Sequence, residues 1–230
     1  MDNSPKCVKC PGVFCYPNIA ADEEPSFEGA PRFCPSKTKR EIIERSIREY
    51  DKPDISEFAR LASIQEYECY EHTPDGIRTK IPRIEETIQF AQKNGFRRLG
   101  LAFCVGLINE ARMVTSIFET KGFGVVSVCC KTGAIPKERI GIKPEQKIPG
   151  PGRYESMCSP ITQAQILNSE NADLAILLGL CVGHDTLFMK YCKIPMTVLA
   201  VKDRVTGHNP LAALYLSHSY YGRLILPNRT

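Results

Sequence analysis

The 230-residue chain has no tryptophan, only four histidines and no charge excess of note. It also lacks any apolar run near the ~20 residues that a membrane helix needs, so the membrane is not an expected location. Its 30 Lys and Arg against 26 Asp and Glu give +4, scattered rather than clustered. No basic run is flanked by aromatics, which removes nucleic acid from the expected partners. The first ten residues are polar and carry Cys7 and Cys10, unlike the apolar core of a secretory signal. The expected compartment is therefore the reducing cytoplasm, where disulfide staples are uncommon.

What the chain does have is cysteine, eleven in all. An odd number cannot pair completely, and a reducing compartment leaves the thiols free for metal. Free cysteine also buries well as a small core residue, so placement has to separate the two uses. Apolar residues make up 43% and charged residues 24%, enough to fold most of the chain around a sizeable core.

Three segments are expected. Residues 1–35 read as a cysteine-rich tail punctuated by Pro5, Pro11 and Pro35, without the apolar periodicity to fold alone. Residues 36–95 read as a helical segment packed on the core. Ser36 is a candidate N-cap for a helix with Ile42, Ile43, Ile47 and Tyr50 on one face. Asp54 and Glu57 form a capping-box-like start for the next, and a third begins near Pro82 and stops at Asn94-Gly95. Residues 96–230 alternate short apolar strands (99–103, 123–128, 175–180, 196–201) with helices. That alternation predicts an α/β domain with a parallel sheet covered on both faces, of Rossmann-like or flavodoxin-like type. The connection over 131–157 is longer than the ~12–15 residues usual for an unstructured loop.

In this arrangement Cys104, Cys130 and Cys181 follow strands and Cys158 precedes a helix that starts at Ser159-Pro160. The carboxyl ends of parallel strands share one edge, where ligands bind, so these four cysteines are expected to converge there. Strand alternation allows only one of Cys129 and Cys130 on a given face, and Cys130 is the nearer to the strand end. The runs Leu101-Ala-Phe-Cys-Val-Gly106 and Leu178-Gly-Leu-Cys-Val-Gly183 echo each other. Gly106 and Gly183 would let backbone approach a ligand, and a helix N-terminus favours the thiolate. A phosphate loop is the rival reading, but neither run has the three-glycine dinucleotide spacing.

The tail offers Cys7-x2-Cys10-x4-Cys15-x18-Cys34, four thiolates sufficient for a four-iron cluster or tetrahedral zinc. At the sheet edge, His184 is read as a ligand or proton donor, or else as a cap together with Asp185. Lys202 and Arg204, with His208-Asn209 beyond, occupy another strand-end loop. They are either solvated surface or groups that bind an anionic substrate or offset cluster charge. Glu110 is assigned to the helix dipole. Cys69 and Cys192 are read as packing residues.

The runs Ala102-Phe-Cys-Val-Gly-Leu107, Cys130-Lys-Thr-Gly133, Met157-Cys-Ser-Pro-Ile-Thr-Gln-Ala164, Gly179-Leu-Cys-Val-Gly-His-Asp185 and Val201-Lys-Asp-Arg-Val-Thr-Gly-His-Asn-Pro210 together resemble a prokaryotic family of unknown function. Its members are described only as metal-binding and many come from anaerobes. The resemblance covers most of the chain, the Cys7/Cys10/Cys15/Cys34 tail included. It implies metal binding through cysteine and supplies no reaction. Ser159 stands where that family suggests asparagine.

The leading expectation is thus an iron–sulfur protein, with a 4Fe-4S cluster in the tail and a second cysteine-ligated site at the sheet edge. Redox or sulfur chemistry on a small molecule would use His184, Lys202 and Arg204, with residues 131–157 as a lid. A redox partner protein and an oligomer remain open. The alternative is a zinc-stabilised small-ligand-binding or sensor protein without catalysis. A third reading, a thiol enzyme with Cys181 as nucleophile and His184 as base, suffers because adjacent helical side chains diverge.

Overall fold

The computed structural model describes residues 4–12 and 14–227. Its contacts divide the chain into two compact units, Met1–Tyr67 and Glu68–Thr230. The division falls inside the 36–95 segment rather than at either of its ends, because only the last part of that segment belongs with the sheet.

The first unit holds a single-turn 3-10 helix Cys7–Lys9 and the helices α1 (Pro35–Thr38), α2 (Arg40–Ile47) and α3 (Pro53–Glu68). It has almost no apolar interior. Among the described residues, Ala30 is the only buried hydrophobic before Ile88. The face expected to turn inward is exposed: Ile42, Ile43, Ile47 and Tyr50 are each at least 40% accessible. Ser36 does not cap, since α1 begins at Pro35 behind Cys34 with no side-chain cap. Glu57 pairs with Arg60 at 2.7 Å.

The second unit opens with a hairpin, β1 (Tyr70–Thr73) and β2 (Gly76–Thr79), which hydropathy could not reveal because both strands are almost wholly exposed. Then follow α4 (Arg83–Lys93), β3 (Arg98–Phe103), α5 (Ile108–Thr120), β4 (Gly124–Cys129), α6 (Pro160–Ser169), β5 (Leu174–Leu178), α7 (His184–Tyr191), β6 (Met196–Ala200) and α8 (Pro210–Tyr215). The four strands β3 to β6 form one parallel sheet in the order β4-β3-β5-β6. Central β5 is buried along its whole length and β3 is buried after Arg98, while the edge strands β4 and β6 are only partly covered, as position in the sheet requires.

Alternation sorts the two faces. Leu99, Leu101 and Phe103 of β3 join Ile88 and Ala91 of α4 and Ala111 and Phe118 of α5 in one core cluster. Ala102, with Cys104 just beyond the strand, joins Val128, Cys130, Ala164, Leu167 and Phe188 in the other, under α6 and α7. Gly100 permits the second contact: a Cβ there would lie 2.9 Å from Leu167. The open edge of β6 is covered by Arg83, which donates to Val198 O and Thr197 Oγ1, each at 2.8 Å.

Candidate metal centres

The strand order reverses between β3 and β5, with β4 beyond one and β6 beyond the other. A crevice opens outside the carboxyl ends at such a reversal. Here it is a cavity of about 500 Å³ whose lining includes Cys104, Cys158, Cys181, His184, Lys202 and Arg204.

Register explains how the thiols meet. Phe103 pairs with Cys129, so Cys104 and Cys130 stand side by side one residue past the strands, with Cys130 N–H bonded to Phe103 O at 2.9 Å. Ser159 N–H donates to Cys130 O at 2.7 Å, which brings Cys158 to the same place. Gln163, fully buried, ties the two strand ends together by donating to Phe103 O at 3.1 Å and Val128 O at 2.7 Å. Cys129 is partly buried and packs against both cores, whereas Cys130 is buried within the α6/α7 core beside the crevice. Phe103 also pairs with Leu178, so Cys181 lies two residues beyond Gly179, the position level with Cys104. The two echoing sequence runs are therefore not equivalent in space, and Cys181 stands at the rim.

Each sulfur has its own donor or cation. Val105 N–H donates to Cys130 Sγ at 3.3 Å, and Arg204 Nη2 to Cys181 Sγ at 3.1 Å. The Cys130 thiol beside Cys104 holds Cys104 down to about 5, helped by the Gly106 N–H and the Lys202 ammonium. Cys158 is pushed down to about 4, first by the Cys130 thiol and then by His184. Cys130 moves the opposite way, raised by the neighbouring sulfurs of Cys104 and Cys158 and by burial. His184 is raised by its hydrogen bond to Cys158. The buried central thiol thus keeps its proton while its two neighbours lose theirs readily.

Two glycines make room for this. A Cβ on Gly106 would come 3.3 Å from Lys202 Nζ, and one on Gly179 would strike Leu107 Cδ1 at 2.0 Å with Lys202 Cδ at 3.9 Å. Lys202 thus runs past both glycine backbones to reach Cys104. Gly183 has open space where a Cβ would be and does not line the cavity; its φ of +85° at the start of α7 is what calls for glycine. No side-chain cap is made there, and Asp185 instead accepts from Thr186 N–H at 2.7 Å. Likewise Ser159 opens α6 without capping it. His208 is structural: its Nδ1 accepts from Asp203 N–H at 3.0 Å and closes the loop that carries Lys202 and Arg204.

Several contributors carry no sequence motif. Lys131 and Lys137 line the cavity, with Ile140, Ile142 and Met157 from the same long connection. That connection folds on itself: Lys131 Nζ donates to Ser156 O at 2.5 Å, Lys137 pairs with Glu155 at 2.8 Å, and Met157 N–H reaches Ile135 O at 2.7 Å. Two short 3-10 helices, Lys137–Ile140 and Pro144–Gln146, lie within it. Its length alone was the available signal.

In the first unit, Cys7, Cys10, Cys15 and Cys34 all line one cavity of about 200 Å³ with Phe14 and Phe33. Cys7 opens a 3-10 turn closed by Cys10 N–H to Cys7 O at 3.0 Å, which sets the close pair. Cys34 is the N-cap residue of α1. Among the described residues, no three His, Cys, Asp or Glu side chains stand together in a geometry that could hold a metal ion. Cys69 and Cys192 lie outside both groups, Cys192 half-buried against the α6/α7 core. No helix of the described residues is long and apolar enough to cross a membrane.

A family model described as a protein of unknown function, DUF1847, matches residues 34–199, which contain all four crevice cysteines and Cys34. The chain belongs to the DUF1847 family. Its similarity to the uncharacterized protein MJ0455 of Methanocaldococcus jannaschii reaches 36% identity over 224 residues, covering 97% of this chain and 100% of that one. The DUF1847 match includes β3 to β5 and all but the last residue of β6 and stops short of Lys202 and Arg204, whereas the similarity to the archaeal relative spans nearly the whole chain.

Proposed function

We propose that this DUF1847 protein is an iron–sulfur protein with one cluster held by Cys7, Cys10, Cys15 and Cys34 and a second site held by the crevice cysteines. The observation that carries the reading is the crevice itself. Three thiols from different elements meet at the sheet edge with a fourth at the rim, and each sulfur receives an N–H or cationic donor. Such donors are what sulfur-ligated clusters use to offset charge and set potential. A purely structural core of cysteines has no need of lysine, arginine and histidine directed at the sulfurs.

The donor set fits iron–sulfur or zinc in kind, since both take thiolate. A bound cluster supplies one-electron chemistry. The residues of this chain do the rest: Lys202 and Arg204 balance charge, His184 holds a proton beside Cys158, and the folded connection over 131–157 limits water. The sheet order, read as flavodoxin-like, puts the site where small ligands bind in such folds. His184 partners Cys158, and Cys181 partners Arg204, so the arrangement offers Cys181 no base.

The test is anaerobic purification with an absorption spectrum and quantification of iron, sulfide and zinc. A brown protein with matched iron and sulfide in both units supports the reading. Colourless protein with zinc in the tail alone would replace it with the zinc-stabilised binding protein, which the compact four-thiol tail also suits.

A further inference from the structure

The cavity of about 500 Å³ at the sheet edge carries more positive charge than its own carboxylates neutralise. Lys131, Lys137, Lys202 and Arg204 line it against one carboxylate, Glu155. That carboxylate is fully used: Oε1 pairs with Lys137 at 2.8 Å and Oε2 accepts from Ile148 N–H at 2.9 Å. Among the described residues, no carboxylate stands within ion-pair distance of Lys131, Lys202 or Arg204. Asp203 lies between two of these cations in sequence, yet its Oδ1 accepts from Val205 N–H at 3.0 Å and from Thr206 N–H at 3.1 Å. The acid is spent on shaping the loop and leaves its neighbours unpaired.

The loop is built to hold its two cations in place. Asp203 N–H donates to His208 Nδ1 at 3.0 Å, and the turn closes through Gly207 at φ +63° and His208 at φ +69°. The latter is a sparsely populated conformation for a residue with a side chain. Arg204 gives Nη2 to Cys181 and keeps the rest of its planar fork, and Lys131 gives one bond to Ser156 O at 2.5 Å. The wall supplied by the 131–157 connection is apolar: Ile140 and Ile148 line the cavity with 60% and 84% of their surface open to water. Apolar side chains left open beside uncompensated cations match a ligand that is anionic at one end and apolar at the other.

We propose that the crevice is a binding pocket for a small organic anion, its carboxylate or phosphate head held by Lys131, Lys202 and Arg204 and its apolar body lying against Ile140 and Ile148. Charge-assisted hydrogen bonds from a guanidinium and two ammonium groups recognise such a head, and the isoleucines select against a bare inorganic ion. This goes beyond the proposed cluster and does not require the crevice sulfurs to hold metal.

The experiment is isothermal titration calorimetry on the full-length protein, as purified anaerobically and after chelation, with iron and sulfide quantified in each sample. Benzoate and phenyl phosphate are the probes. Benzyl alcohol lacks their charge, and inorganic phosphate lacks their apolar body. The expected result is saturable binding of benzoate or phenyl phosphate in both preparations, at least about tenfold tighter than either control. The tighter of the two probes identifies the head group. Lys202→Gln and Arg204→Gln each weaken that binding about tenfold, and Ile148→Ser weakens it severalfold, with folding checked by circular dichroism. Lys190→Gln, which removes an exposed charge of α7 outside the cavity, leaves it unchanged. Absence of binding by both probes, or binding indifferent to Lys202→Gln and Arg204→Gln, overturns the pocket. Either control binding as tightly as the better probe overturns the ligand class. Binding that appears only on chelation assigns the cations to the proposed cluster and overturns the pocket as well. Protein purified without crevice iron that binds the probes removes the cluster and leaves this inference standing.

Discussion

Arg204 Nη2 donates to Cys181 Sγ at 3.1 Å, joining the loop after β6 to the loop after β5. The arginine is exposed, and its own proton is held more tightly because of the sulfur it faces. An exposed charged contact of this kind contributes little to folding, so a charge held against this sulfur at the proposed metal site has a functional reading. Arg204→Gln is therefore expected to leave the unfolding free energy of metal-free protein, measured in urea, within roughly 0.5 kcal/mol of wild type. In reconstituted protein the same change removes a positive charge near the site and lowers the reduction potential, measured by equilibrium redox titration. A large stability loss with an unmoved potential would make Arg204 a structural residue.

Cys158 and His184 form the second testable contact. In metal-free protein the Cys130 thiol, and after it His184, push Cys158 down to about 4 from the ordinary value of 9.0. The sign follows. The stability from Cys158 is fully present above its ordinary value and is lost as pH falls through about 4. His184 is raised above the ordinary 6.5, so its contribution is present below that value and is lost as pH rises through the raised one. At pH 6 the pair is thiolate and imidazolium. Iodoacetamide is expected to alkylate Cys158 of chelated, folded protein at pH 6 nearly as fast as at pH 9, scored by peptide mass spectrometry. His184→Ala should move the midpoint upward, only part of the way, since Cys130 is the larger cause. A wild-type rate that climbs through the ordinary thiol range would refute the pairing.

The alternation of apolar runs with helical stretches was enough to place every strand of the parallel sheet, because fully buried β3 and β5 leave long unbroken apolar signatures. Cysteines at strand ends followed from the same reading. The exposed hairpin β1–β2 left no such signature, and neither did the division at Tyr67/Glu68, which reflects contacts rather than composition. The capping expectation at Ser36 failed because α1 begins one residue earlier, at Pro35, which leaves Ser36 inside the helix, whereas the helix start read at Ser159-Pro160 is where α6 begins. Lys131, Lys137 and Gln163 could not be read in advance. Their importance comes from a folded connection and a strand register, and a single lysine or glutamine in sequence announces neither.

Gly179 is where the site and the core meet. Its φ is +66°, and an added Cβ would strike buried Leu107 at 2.0 Å. Leu107 ends the 3-10 turn that leads away from Cys104, so moving it disturbs both the apolar core and the thiol cluster. Gly179→Ala is expected to cost roughly 2–4 kcal/mol from overpacking and left-handed strain together. Gly183→Ala, at φ +85° with open space for the methyl, should cost only about 1 kcal/mol. Urea unfolding of the two metal-free variants decides the matter, and equal losses would mean that the Leu107 contact relaxes at no cost.

The N-terminal unit poses the sharpest stability question. Up to Ser36 its described residues bury one alanine, Ala30, and a domain without an apolar interior cannot offset the entropy of ordering its chain. What it has instead is four cysteines around one cavity of about 200 Å³. If metal holds this segment, its folding energy is the metal's binding energy, as in small metal-nucleated domains. Chelation under reducing conditions should then expose Lys6, Lys9 and Arg32 to trypsin at least tenfold faster, whereas the sheet-bearing unit, with its two apolar cores, stays resistant. Cys10→Ser/Cys34→Ser should show the fast cleavage without any chelator. Limited proteolysis read by mass spectrometry separates the outcomes. Cleavage before Ser36 at one rate, with or without chelator and in both proteins, would show that the four thiols hold no metal that matters to the fold.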